Sequence, residues 1–291
     1  MQDKIYSPKA VGKMKNKYGF KFSKSLGQNF LTDGAVIEEI VEASGADDES
    51  LVIEIGPGMG VLTQLLAENA KYVVAIELDK SLIPILKENL QDFNNIEILN
   101  QDVLKTDINE IVSFYKEARG IKKVKIIGNL PYYITTPIIM KLLEDNVPAD
   151  SITIMLQKEV ADRINANPGG KTYGAISVAV QYYASVEHVI EVPKESFIPQ
   201  PKVDSSVIKL NLLPERAVKT NNEALFFKVV KAGFGMRRKT LSNSLTLLGI
   251  DKSQINDALE MAGIEPSRRA ETLSLEEFAK LTEEIEKYVG K

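Results

Sequence analysis

Leu51-Val52-Ile53-Glu54-Ile55-Gly56-Pro57-Gly58-Met59-Gly60 decides the fold. A short apolar run breaks into a glycine cluster, and the next periodicity, Val61 to Glu68, is helical. This reads as a buried strand, a tight turn and a helix. The alternation extends in both directions. Upstream, Ala35 to Ala43 places Val36, Ile37, Ile40 and Val41 on one helical face. Downstream, Tyr72 to Ile76 is a second strand ending at Glu77, and Asp79 caps a helix that runs to about Leu90. Ile96 to Leu99 is a third strand with Asp102 just after it, and Ile108 to Ala118 is helical. Val124 to Ile127 is the fourth strand, Thr136 to Leu143 a helix with Pro137 in its first turn, and Ile152 to Leu156 the fifth strand.

Strands that alternate with helices build a parallel sheet covered on both faces, and right-handed crossovers make it doubly wound. Residues 186–192 and 206–212 add two strands joined by the proline-rich Phe197-Ile198-Pro199-Gln200-Pro201-Lys202. A connection this short predicts an antiparallel pair. Beyond Pro214 the periodicity is only helical: Leu225, Phe226, Val229 and Val230; then Leu241 and Leu245; then Ile255 and Leu259; then Phe278, Leu281 and Ile285. The expected organisation is a basic arm over 1–24, an α/β domain over 25–214 and a smaller all-helical domain over 215–291.

Composition removes several chemistries. The 291 residues contain no cysteine, so disulfides, thiol catalysis and cysteine-bound zinc are excluded. The single histidine, His188, sits among Val186, Val189 and Ile190, which argues against a histidine metal site or a Ser-His-Asp triad; no metal is expected. The lysine-rich start has no apolar segment behind it, and no apolar run approaches ~18 residues. No membrane association is expected, and a cytoplasmic location is.

The net charge of −4 hides an uneven distribution. Lys4, Lys9, Lys13, Lys15, Lys17, Lys21 and Lys24 face only Asp3. A second basic cluster holds Lys228, Lys231, Arg237, Arg238 and Lys239, and a third is Arg268-Arg269. Phosphate binding depends on local density of positive charge rather than the sum. These clusters are either nucleic-acid surfaces or solvated faces.

Ligands of open α/β sheets bind beyond the carboxyl ends of the strands. Four successive strand ends carry distinctive residues: the Gly56–Gly58 turn, Glu77, Asp102 and Asn129. Glycine admits close approach of the backbone to a ligand, and an acid about 20 residues further on can accept ribose hydroxyl protons. Asp102 is placed to accept from an adenine amine. The set points to an adenosine-containing cofactor, either NAD or S-adenosylmethionine. The loop Asn129-Leu130-Pro131-Tyr132 separates these two. A dehydrogenase needs a proton relay, whereas this loop offers acceptors and a stacking ring. The N6 lone pair of adenine is delocalised into the ring. An Asn129 oxygen and a backbone carbonyl that accept both its N–H bonds let the nitrogen pyramidalise toward a sulfonium methyl. Proximity and orientation then supply most of the catalysis.

With these residues in place the chain resembles a known family. Glu54-Ile55-Gly56-Pro57-Gly58-Met59-Gly60 resembles the first motif of S-adenosylmethionine-dependent methyltransferases. Ser25-Leu26-Gly27-Gln28-Asn29-Phe30-Leu31 resembles the segment that closes over the cofactor in ribosomal RNA adenine dimethyltransferases. Asn129 to Ile134 resembles their catalytic loop, and Ser196 to Ser205 their target-base loop. The likeness is strongest to the small-subunit (16S) group, the KsgA/RsmA family. It implies a Rossmann-like class I methyltransferase sheet, and dimethylation of N6 on two adjacent adenosines near the 3′ end of small-subunit rRNA during ribosome biogenesis. It implies a precursor small ribosomal subunit with its 16S rRNA as partner. Asn29, Leu31, Gly56, Gly58, Glu77, Asp102 and Asn129 would contact S-adenosylmethionine or its pocket rim. Asn129, Leu130, Pro131 and Tyr132 would hold the base, with Phe197 on its other face unless that ring is a core aromatic. The helical domain, through Lys228, Lys231, Arg237, Arg238 and Lys239, would grip rRNA. The first residues lie outside the motifs and are either an RNA-contacting arm or a solvated tail. Competing readings are a large-subunit rRNA methyltransferase of the macrolide-resistance type and an assembly factor that acts mainly by binding.

Overall fold

The first strand of the glycine motif runs Ser50–Ile55, and every one of its residues is buried. In the computed structural model, which describes residues 7–20, 22–23, 27–236 and 238–289 (8–10 and 15 by backbone only), it lies in the interior of a seven-stranded sheet, third from one edge. The strands are β1 Phe30–Leu31, β2 Ser50–Ile55, β3 Tyr72–Ile76, β4 Ile96–Leu99, β5 Lys123–Asn129, β6 Ser151–Gln157, β7 Ala184–Val192, β8 Phe197–Ile198 and β9 Ser205–Leu212. The sheet order is β4-β3-β2-β5-β6-β9-β7. Strands β4 to β6 pair in parallel, and β9 runs antiparallel to β6. β1 and β8 form a separate antiparallel pair. The chain reverses direction of travel between β4 and β5, so the ends of β2 and β5 flank the switch point where such sheets bind ligands.

Both faces of the sheet are covered, which is why its strands are continuous apolar runs rather than alternating ones. Helices α2 Gly34–Ser44 and α3 Val61–Asn69 bury Ile37, Ile40, Leu62 and Leu66 against Val52, Val73, Ile127 and Met155. The other helices of this part are α4 Ile83–Asn89, α5 Ile108–Arg119 and α6 Thr135–Glu144. α2 begins at Asp33, whose carboxylate accepts from Ala35 N, and ends at Gly45 with φ +64°.

The chain divides into two units. One runs to Ala161 and resumes over Val186–Leu212; the other holds Asp162–Ser185 and the chain from Leu213 on. This division departs from the expected boundary at 214, because a helix lying between β6 and β7 packs with the C-terminal helices. That helix, Ala175–Tyr183, comes after a short helix, α7 Lys158–Ile164, and is α8. Its Ile176, Val178 and Val180 are β-branched and poor helix formers. Burial overrides propensity: the Tyr182 ring stacks on Phe226 at 5.0 Å, and both Tyr182 and Tyr183 donate to the Glu223 carboxylate. The second unit continues with α9 Glu223–Gly235, α10 Leu241–Ser244, α11 Lys252–Met261 and α12 Leu275–Glu286 around a core of Phe226, Leu241, Leu245, Ile255, Leu259, Phe278 and Ile285.

The N-terminal segment departs from the expectation of an arm or a solvated tail. Helix α1, Pro8–Tyr18, buries Val11, and Phe20 continues from it into a cluster with Phe30, Met59, Leu82 and Ile85. Lys17 pairs with Glu88 at 2.6 Å, and the Tyr18 hydroxyl donates to the same carboxylate. The alternating lysines hid an apolar face of only three or four residues. Of that lysine group, Lys4, Lys21 and Lys24 lie outside the described residues.

Candidate active site

The strand ends open onto one cavity of about 1120 Å³, counted to its open mouth. Its walls include Asn29, Leu31, Gly56, Gly58, Glu77, Asp102 and Asn129, and also Leu130, Pro131 and Tyr132. The structure thus brings together every residue expected at the cofactor and all four residues of the Asn129-Leu130-Pro131-Tyr132 loop.

Backbone geometry builds the glycine wall. Gly58 has φ +61°, and a Cβ there would lie 2.9 Å from the Phe30 ring. Its N–H donates to Glu77 Oε2 at 3.2 Å, and the Asp79 N–H donates to Glu77 Oε1 at 2.7 Å. Each carboxylate oxygen keeps a further lone pair, so Glu77 can still accept from a ligand. Burial pushes its carboxyl up to about 7, with the backbone amides of Asp79, Gly58 and Leu78 opposing and the Asp79 charge adding to the shift. Glu54 is buried more completely, at 1% exposure, and also lines the cavity. Its Oε2 has no hydrogen-bond partner among the described residues. Burial holds this carboxyl at about 8, with the Thr63 hydroxyl opposing and the nearby Glu77 charge adding to the shift. A buried carboxyl oxygen left without a partner on a cavity wall is a site for a proton-donating ligand group.

Asp102 accepts from Leu104 N at 3.0 Å through Oδ1, and its Oδ2 lies 3.7 Å from Lys105 Nζ. Asp79 caps the turn after β3 through Ser81 N and also accepts from Gln28 Nε2 at 2.7 Å. The segment 27–31 is thereby fastened to the turn after β3, beside Glu77.

Asn129 is the last residue of β5. Its Nδ2 donates to the Asn29 carbonyl at 3.2 Å. A carbonyl only accepts, so this contact fixes which end of the amide is nitrogen and leaves Oδ1 as an acceptor with no partner among the described residues. Leu130 is buried and its N–H donates to Met155 O at 3.3 Å. The Pro131 carbonyl accepts from Ile134 N and Thr135 Oγ1, each at 3.1 Å, which ties the turn to the start of α6. Tyr132 is half-buried, and its hydroxyl meets Ser205 Oγ at 2.7 Å.

Phe197 is not brought to the cavity. It pairs with Leu31 in the β1–β8 ladder, is 3% exposed and packs with Val36, Ile37, Val192 and Val207. The core alternative is the arrangement found, because a two-residue strand in this register buries the ring. Of the basic residues, Lys228 and Lys231 are exposed one turn apart on α9, and Arg238 and Lys239 are exposed beyond it. Arg237 lies outside the described residues. Arg268 has a structural role: it makes a two-pronged contact to Glu277 at 2.5 and 3.0 Å, in the first turn of α12.

Sequence reasoning missed three residues. Gly128 stands inside β5 opposite Ile55, where a Cβ would lie 2.9 Å from the Ile55 carbonyl and 2.8 Å from the Leu130 side chain. A glycine just before the Asn-Leu-Pro-Tyr turn was the available signal. Gln28 and Ser205 act through hydrogen bonds to distant segments, which no local pattern encodes.

The family profile described as "Ribosomal RNA adenine dimethylase" matches residues 19–287. The "Ribosomal RNA small subunit methyltransferase A" of Alkaliphilus metalliredigens is 53% identical, over 97% of this chain and 98% of its own length. The protein of the same name from Clostridioides difficile is 52% identical over 96% of each chain. Among solved structures, a dimethyladenosine transferase from Plasmodium falciparum superposes with a TM-score of 0.72 at 28% identity, covering 88% of this chain and 97% of that one. The 23S rRNA methyltransferase ErmE gives 0.67 at 27% identity, covering 89% and 100%. The chain belongs to the ribosomal RNA adenine dimethylase family.

Proposed function

We propose that this protein dimethylates N6 of two adjacent adenosines near the 3′ end of 16S rRNA, using S-adenosylmethionine, on a precursor of the small ribosomal subunit in the cytoplasm. One observation carries the reading: the Asn129-Leu130-Pro131-Tyr132 turn borders the same cavity as the glycine turn, Glu77 and Asp102. The likeness at about half identity to small-subunit enzymes favours that substrate over the large-subunit one, whose representative is 27% identical.

The residues present fit the cofactor. Glu77 would accept from the ribose hydroxyls, Asp102 from the adenine amine, and Gly56 and Gly58 would let the backbone approach. The partnerless Glu54 Oε2 would accept from a cationic amine of the ligand, whose charge would draw the carboxyl toward its ionised form. S-adenosylmethionine supplies an activated methyl group on a sulfonium. The chain's own work is orientation. Asn129 Oδ1 would accept one N6 proton bond, its amide being held from behind by Asn29 O. The Pro131 carbonyl is occupied by α6, so the second acceptor would be the Leu130 carbonyl. Tyr132 would stack on the base. The exposed Lys228, Lys231, Arg238 and Lys239 would contact the rRNA backbone, where lysine and arginine displace counterions.

The test is transfer of labelled methyl groups to immature small subunits, with mass spectrometry of the nucleosides afterwards. Dimethyladenosine is expected from small subunits and not from large ones. No transfer by protein that still binds the cofactor overturns the reading.

A further inference from the structure

Tyr132 and Ser205 are 73 residues apart in the chain, yet their hydroxyls lie 2.7 Å apart. Tyr132 lines the cavity and Ser205 does not. Ser205 is fully buried, the first residue of β9, in register opposite Gln157 of β6. It comes directly after the proline-rich loop, and the base of that loop is closed by Asp204. The Asp204 carboxylate accepts from Lys194 N at 3.0 Å, and its carbonyl accepts from Lys158 N at 3.1 Å. The serine is therefore anchored by the sheet on one side and by a closed loop on the other. Tyr132, by contrast, lies in the short segment between β5 and α6. Its ring can turn about two side-chain torsions unless its far end is held. The buried hydroxyl of Ser205 holds that end.

We propose that Ser205 is a positioning residue for methyl transfer: through the Tyr132 hydroxyl it locks the ring that forms one wall of the base site, and so couples the catalytic loop to the proline-rich loop. The inference rests on the proposed reaction. The phenol stays protonated in the working range because burial raises its titration, so the contact is a neutral hydrogen bond. Such a bond adds little to stability, because folding forms it in exchange for hydrogen bonds to water. Its effect on rate is larger, since a misplacement of about 1 Å in a reacting geometry costs on the order of 100-fold. The role separates rate from affinity. Neither hydroxyl is among the groups proposed to hold the cofactor, so cofactor affinity is expected to stay unchanged.

The experiment is a mutant cycle read by single-turnover methyl transfer to immature small subunits at saturating cofactor. Ser205→Ala and Tyr132→Phe each lower the rate about 10- to 100-fold, while the cofactor dissociation constant and the melting temperature stay near wild type. Ser205→Thr, which keeps the hydroxyl, restores most of the rate. The double variant is no slower than the slower single variant, because both remove the same bond. Tyr132→Phe keeps the ring and carries the test if Ser205→Ala folds poorly. A wild-type rate in either single variant, effects that add in the double variant, or a parallel loss of cofactor affinity overturns the proposal. A wild-type protein that transfers no methyl group overturns the proposed function as well, which distinguishes the two failures.

Discussion

The two halves of the cavity are built differently. On the proposed cofactor side the two acids are held locally, at the strand ends: Gly58 and Asp79 hold Glu77 with backbone N–H groups, and Leu104 holds Asp102. On the base side the contacts reach far along the chain: Asn129 is tied to Asn29, 100 residues away, and Tyr132 to Ser205, 73 away. The grip on Glu77 and Asp102 is complete once the parallel strands pair and the turns after them form. The base side requires the segment before α2 and the start of β9 to be in place as well. Long-range ties cost more chain entropy to form. They also let one half be disturbed without the other.

The largest effect is expected where the base side meets the chemistry. Asn129→Ala removes the acceptor aimed at the amine, and turnover should fall about 1000-fold with RNA affinity largely spared. An undiminished rate would sink the orientation mechanism. On the cofactor side, Gly58→Ala places a methyl against the Phe30 ring and strains a left-handed backbone. Cofactor affinity by calorimetry should fall about 10-fold or more. If it does not, the glycine wall is not where the cofactor binds.

A pH effect divides the halves further. The Glu77 carboxyl sits at about 7, and ligand hydroxyls that donate to it favour the ionised form. Cofactor affinity should therefore rise between pH 6 and 8, by less than about tenfold per unit, and Glu77→Gln should flatten that rise. Stability of the free protein runs the opposite way. The folded-state values of Glu54, about 8, and Glu77, about 7, lie above the ordinary 4.5, so the folded protein holds more protons between these limits. Their contribution is fully present below 4.5 and is lost as pH rises through about 7 to 8. Glu54→Gln should raise the melting temperature more at pH 8.5 than at pH 5.5, by a stability on the order of a few kcal/mol. A pH-independent gain would mean that Glu54 is not the titrating group.

The smallest expected effect lies outside the cavity. Replacing Lys228 and Lys231 together by Ala should weaken RNA binding several-fold at low salt, about 1 kcal/mol, and reduce the salt dependence. Cofactor affinity should not change. An effect that survives high salt would point to misfolding of α9 rather than to lost phosphate contacts.

Legibility tracked the reach of the interactions. Strands β3 and β4 stand at the predicted residues, Tyr72–Ile76 and Ile96–Leu99, because each is a short apolar run between clear breakers. β5 extends two residues beyond the prediction, through Gly128 and Asn129, because the glycine that resembled a turn is needed for the approach of β2. Helix α8 was hidden by β-branched residues, and α1 by its lysines. Phe197 illustrates the limit best. Its motif suggested a base-stacking ring, and pairing with β1 buries it instead.

The chain alone determined the alternation of elements and the chemistry at four strand ends, since hydrophobic period and residue type are local properties. Gly56, Glu77, Asp102 and Asn129 had to converge once that alternation made a parallel sheet. Folding in three dimensions decided the rest: which end of the Asn129 amide faces the cavity, which serine holds Tyr132, and that Glu54 and Glu77 are buried acids. Hydrogen-bond partners far apart in the chain, and the desolvation that shifts a carboxyl, exist only after packing has brought the segments together.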